Sequence, residues 1–144
     1  ERLKDTLQES GHTVSLERVE AVNEDPNSKE KLQLKTIPEI SKYDAVILGA
    51  PVRAFNLSPV MKAYLAQIPE IRGMKICCFV TQHLKMKWMG GNSSIKQMKT
   101  ALKQRGAEVI CTGIVNWSGD KREDQINYII MAMNASYTYN DADV

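Results

Sequence analysis

Two stretches of this chain are apolar without alternation, one from Asp44 through Ala50 and one from Lys75 through Thr81. A strand with one face in water alternates apolar and polar residues. A continuous apolar run needs both faces covered, the condition of a central parallel strand between helices. Each run opens into a loop dense in ligand-type residues. The first is followed by Pro51, Val52, Arg53, Ala54 and Phe55; the second ends at Thr81 and is followed by Gln82, His83, Trp88, Gly90, Gly91 and Asn92. Parallel sheets bind ligands at the carboxyl ends of their strands. Function is therefore expected at these two junctions.

The rest of the chain supplies the covering helices. Leu3 and Leu7 lie one turn apart and Gly11 is a stop, so Glu1 to Ser10 reads as the end of a helix with no N-cap of its own. Thr13 to Val19 alternates and is expected to be an edge-side strand, followed by a polar loop from Asn23 to Lys35 with a short helix near Ser28 to Leu34. Ser58-Pro59 starts a helix whose inner face is Met61, Tyr64, Leu65 and Ile68. Asn92 or Ser93 caps the next, with Ile95, Met98 and Leu102 inside and Gly106 as its end. Glu108 to Val115 is a further buried strand. Asp120 and Glu123 form a capping box for a last helix carrying Ile126, Ile129, Ile130 and Met133, and Tyr137 to Val144 is a fraying tail. Strand and helix alternate throughout, the pattern of a doubly wound α/β sheet. With 144 residues and no linker or repeat, residues 1-144 read as a single domain.

Composition narrows the function. A formal charge of +2, with no basic tract interleaved with aromatics, excludes nucleic acid as the expected partner. No apolar run reaches the roughly 20 residues that span a bilayer, and no leader pattern opens the chain, so no membrane partner and a cytoplasmic location are expected. Cys77, Cys78 and Cys111 all fall in expected strands, and an odd count without Cys-x-x-Cys points to reduced, core-packed thiols. Four Asn-x-Ser matches, at Asn56, Asn92, Asn116 and Asn134, are read as chance and capping chemistry. No Ser-His-Asp order or metal-ligand cluster emerges.

The run Tyr43-Asp44-Ala45-Val46-Ile47-Leu48-Gly49-Ala50-Pro51-Val52 resembles the third strand of the flavodoxin-like FMN-binding flavoproteins, a group that includes flavodoxins and NAD(P)H dehydrogenase-type enzymes. Thr81 and Gly90-Gly91-Asn92 look like that family's second flavin loop, and the likeness runs from about Glu1 to Met133. It implies a flavodoxin-like, three-layer parallel sheet of order 2-1-3-4-5, with FMN at its carboxyl edge. The family's first strand and its Ser/Thr and Gly-Asn phosphate loop have no counterpart in this sequence. An upstream extension carrying them is expected, as is weak FMN binding without it.

The residues present suit the ring end of a flavin. A flat isoalloxazine needs aromatic or apolar faces, backbone donors and close loop approach, which Phe55, Trp88, the turn after Pro51 and Gly90-Gly91 supply. Arg53 with His83, Lys85 and Lys87 forms a positive rim suited to an anionic reduced flavin, to NAD(P)H or to another redox partner. The expected function is an FMN-dependent oxidoreductase or electron-transfer protein, tilted toward a reductase because low-potential carriers of the family are acidic. No side chain is assigned a catalytic role. Each residue also has a plain structural alternative: Phe55 and Trp88 as covers of the sheet end, Gly90-Gly91 as a turn into a helix, the cations as solvated surface. A cofactor-free interaction module on the same fold is the competing reading. Oligomeric state is not legible in the sequence.

Overall fold

The run from Lys75 through Thr81 is a central parallel strand, buried on both faces, as its lack of alternation requires. The run from Asp44 through Ala50 is parallel to it but, among the described strands, pairs with that one neighbour along its length and leaves Ala45 and Gly49 exposed. The protein is described by a computed structural model over residues 1–23, 32–83 and 89–139. In chain order the elements are α1 (Arg2–Glu9), β1 (Ala45–Arg53), β2 (Asn56–Leu57), α2 (Pro59–Leu65), β3 (Lys75–Gln82), α3 (Gly91–Gln104), β4 (Glu108–Asn116) and α4 (Arg122–Thr138). The sheet order is β2-β1-β3-β4. β1, β3 and β4 are mutually parallel, and the short β2 folds back antiparallel on the end of β1. Helices cover both faces, so the architecture is a three-layer, doubly wound α/β fold.

Alternation along the strands sorts side chains between the two layers. Val46, Leu48, Ala50, Ile76, Cys78 and Val80 pack with Met61, Tyr64 and Leu65 of α2 and with Ile95, Met98 and Leu102 of α3. On the other face Cys77 and Val115 pack with Ile129 and Met133 of α4, joined by Leu3 of α1. Burial pushes the Cys77 thiol up to about 11 and the Cys78 thiol up to about 12, and both are free. The sheet is not regular throughout. Ile76 pairs with Val109 but Cys77 pairs with Cys111, so Ile110 is an inserted residue that re-phases β4. Beyond it, Gly113 faces α4 so closely that a Cβ there would meet Ile129 Cδ1 at 2.5 Å.

Several expectations change. Thr13 to Val19 is not a strand, because none of the described strands lies beside it to receive its hydrogen bonds. The nearest ladder is one isolated bridge, Ala21 to Leu34, tied by Thr36 Oγ1 donating to the Arg18 carbonyl at 2.7 Å. Of the short helix expected near Ser28 to Leu34, residues 28–31 lie outside the described residues, and 32–34 are not helical. α3 starts earlier than expected: its N-cap is Gly90, not Asn92 or Ser93. The Asp120 and Glu123 capping box does not form; Lys121 is the N-cap of α4 and no side chain caps it. Glu123 instead pairs with Arg2 at 3.0 Å, fastening α1 to α4. Tyr137 belongs to α4 rather than to a frayed tail. Its hydroxyl lies 2.9 Å from the Val46 carbonyl and 3.0 Å from that of Lys75. Among the described residues no helix is long and apolar enough to cross a membrane.

Candidate functional site

The two junctions singled out by the sequence meet at the carboxyl edge of the sheet. Pro51 and Thr81 are partners in the last rung of the β1–β3 ladder. Beyond it β1 turns sharply into β2 through Ala54 and Phe55, both left-handed, with φ of 49° and 61°. Arg53 pairs with Asn56 across this two-residue turn. Two positive φ values in a two-residue hairpin define the tight turn whose twist suits the strands, a position that usually selects Asn and Gly. Here the turn carries a phenyl ring, and Phe55 is 62% exposed.

The turn is held from behind by the start of α3. Gly90 has φ of 115°, and a Cβ on it would lie 2.6 Å from Val52 Cγ1 and 2.8 Å from the Phe55 backbone. Only glycine permits that approach and that dihedral together. Asn56 adds a polar tie: its Oδ1 accepts from the Leu57 amide at 2.9 Å and from the Gln97 side chain of α3. Gly91 is the second close point, where a Cβ would collide with Gln82 Oε1. On the first turn of α3, Ser94 is wholly buried, and its hydroxyl has no hydrogen-bond partner among the described residues.

Of the expected site residues, Val52, Phe55 and Gly90 are thus brought into contact, and so are Gln82 and Gly91. Arg53, Ala54, His83 and Asn92 are exposed around them, and Thr81 is half-buried. Trp88, Lys85 and Lys87 lie outside the described residues. Of the expected rim, Arg53 and His83 are among the described residues.

A polar chain behind this edge is one that the sequence motifs do not reveal. Buried Gln82 donates through Nε2 to Asn116 Oδ1 at 2.6 Å, and the Asn116 amide donates to Gln125 Oε1 of α4 at 2.8 Å. The Trp117 amide donates to the Gln82 carbonyl at 2.8 Å, and Ser118 Oγ donates to the His83 carbonyl. Arg122 stands over the half-exposed Trp117 ring, 5.0 Å from its centroid. Asn116 ends β4 and Trp117-Ser118 follow it directly, and that placement at a third strand end was the available signal. The chain fixes where β3 ends relative to β4 and so positions His83.

No family model matches the sequence, and no curated protein matches it. Among solved structures, a flavoprotein from Lactobacillus acidophilus in complex with FMN matches with 17% identity and a TM-score of 0.45. The match covers 69% of this chain and 56% of that one, so the chain spans little more than half of that structure's length. At this level the likeness stands beside the fold description and adds no weight to any ligand.

Proposed function

We propose that the edge formed by residues 51–55, 81–83 and 89–92 binds the ring of a flavin, FMN by the family resemblance, and that the protein is an FMN-dependent oxidoreductase or electron-transfer protein. The observation that carries the reading is the Ala54-Phe55 turn. Left-handed backbone costs a non-glycine residue about 1–2 kcal/mol, and here it holds an aromatic side chain out in solvent instead of burying it. Such strain persists where the surroundings over-determine it, commonly at ligand sites. Gly90 and Asn56 do the determining.

The residues of this edge fit the ring end of the cofactor. Phe55 offers a flat apolar face, and the exposed hairpin backbone offers donors to a polar edge. Trp88, next in sequence to this edge, is the candidate for the second face. Arg53, on the same turn, places a cation beside a ring that gains negative charge on reduction. A bound flavin supplies the electron or hydride chemistry, with NAD(P)H or a redox protein as the other reactant. The part of the cofactor that these residues suit is the ring, which FMN and riboflavin share. Both flavins are therefore expected to bind at this edge.

Titration of the full chain with FMN and riboflavin, followed by flavin fluorescence, tests this. Phe55→Ala or Trp88→Ala is expected to weaken both flavins several-fold, since stacking contributes on the order of 0.5–1.5 kcal/mol and about 1.4 kcal/mol is tenfold. Arg53→Glu is expected to lower the reduction potential of the bound flavin. Affinity that survives loss of both aromatic residues, with a potential indifferent to Arg53→Glu, removes this edge as the flavin site.

A further inference from the structure

We propose that the solvent face of α3 is a docking surface for an acidic protein, which it seats beside the edge assigned above to the flavin. Lys96, Lys99 and Lys103 follow one another at spacings of three and four residues, so they form a single row. The row is about 10 Å long at the rise of an α-helix. Neighbouring charges within it lie inside the Debye length of roughly 8–10 Å at ordinary salt, so their potentials add. No ion pair among the described residues neutralises them. α3 contains no acidic residue, and the described ion pairs are Arg2 with Glu123 and Arg72 with Glu70, both elsewhere.

The row also flanks a shallow, open depression of about 340 Å³ between side chains of α3 itself, bounded by Asn92, Ile95, Lys96, Lys99, Thr100 and Lys103. Asn92 belongs both to this depression and to the loop cluster at the sheet edge, so the depression starts at the candidate site and runs away from it along the helix. An open helix face of lysines, amides and hydroxyls complements a row of carboxylates on another protein.

Two other polyanions fit less well. A membrane-binding helix inserts bulky apolar side chains between its cations, whereas the apolar residues of α3, Ile95, Met98 and Leu102, are buried in the core. A single-stranded nucleic acid needs aromatic residues among the cations on which bases stack, and α3 has none. The proposal rests on the flavin reading for its purpose, the exchange of electrons between partners, though not for its test.

The probe is an acidic plant-type [2Fe–2S] ferredoxin, with binding to the full chain measured by calorimetry at low and moderate salt. Three proteins are compared: wild type; a variant with Lys96→Gln, Lys99→Gln and Lys103→Gln; and a charge-matched variant with Lys35→Gln, Lys42→Gln and Lys75→Gln. Loss of three charge contacts at the α3 row is expected to weaken binding by about tenfold or more and to flatten its salt dependence. The charge-matched variant is expected to change by less than about threefold. Equal losses in the two variants, or no binding by wild type, overturn the proposal. It is equally overturned if the α3 variant abolishes binding to vesicles containing phosphatidylserine but leaves ferredoxin binding intact, which makes the face a membrane surface. Lys99→Glu alone, with an unchanged melting temperature, repeats the test without risk to the fold. Riboflavin titration of the same samples separates the two readings, since loss of flavin binding in wild type removes the flavin and leaves the docking result standing.

Discussion

Replacing Gly90 with alanine tests whether the two loops are locked together as described. The new Cβ enters at 2.6 Å from Val52 Cγ1 and 2.8 Å from two backbone atoms of Phe55, against an ordinary contact of 3.4 Å or more. Val52 can rotate; the Phe55 backbone cannot, because the turn is already left-handed at Ala54 and Phe55. The substitution therefore carries a dihedral penalty of about 1–2 kcal/mol and an overpacking penalty of roughly 1–3 kcal/mol. Gly11→Ala supplies the control. Its φ is 97° but nothing lies within 4 Å of the added Cβ, so it carries the dihedral penalty alone. Urea denaturation of the three proteins, with midpoint and slope compared, measures both. Gly90→Ala is expected to lose about 1–3 kcal/mol more than Gly11→Ala, and to lose riboflavin binding with it. Equal losses at the two positions would refute the contact between Gly90 and the turn.

Three further outcomes follow from the packing. With Cys77 and Cys78 held protonated by burial up to about 11 and about 12, stability should be level between pH 7 and 8.5. It should then fall as the unfolded thiols ionise and the folded ones do not, by about 1.4 kcal/mol per pH unit per thiol, as urea midpoints at stepped pH will show. A bulky thiol reagent at pH 8 should leave Cys77 and Cys78 unmodified without denaturant, because both are fully buried; rapid labelling of either contradicts the core assignment. Tyr137→Phe should cost about 1–2 kcal/mol by removing the hydroxyl shared by the Val46 and Lys75 carbonyls, and an unchanged melting temperature would show those carbonyls satisfied without it.

The parallel strands were legible because a strand that is apolar on both faces is stable in water only between two covering layers. The inner faces of α2 and α3 were legible from Met61, Tyr64, Ile95, Met98 and Leu102. The failures have physical causes. Alternation at Thr13 to Val19 records a preference for extended backbone, but a strand exists only where another strand accepts its hydrogen bonds. Asp120 and Glu123 have the right spacing for a cap, yet Arg2 draws Glu123 away through a contact between segments far apart in the chain, which spacing cannot reveal. The inserted Ile110 looks like any other apolar strand residue, and its effect appears only in the register with β3. The adjacency of the two loops follows from the pairing of their strands, and their contact at Gly90 was half legible. Gly90, Ala54 and Phe55 are all among the expected residues, but the left-handed backbone of Ala54 and Phe55 is not legible, because neither residue type advertises that conformation. Gln82, read as a loop residue, is a buried link to Asn116.

The Ala54-Phe55 turn also bears on how this protein responds to engineering. Asn-Gly at these two positions meets the same dihedrals with little strain, so a screen that rewards only heat resistance or soluble expression will favour it. The gain is of the order of the roughly 1–2 kcal/mol per residue now held as backbone strain. The same exchange deletes the aromatic surface at the sheet edge. Stabilised variants collected without a ligand in the assay will therefore drift toward a sturdier scaffold that has lost the aromatic surface proposed to bind flavin, with no change in fold to signal the loss.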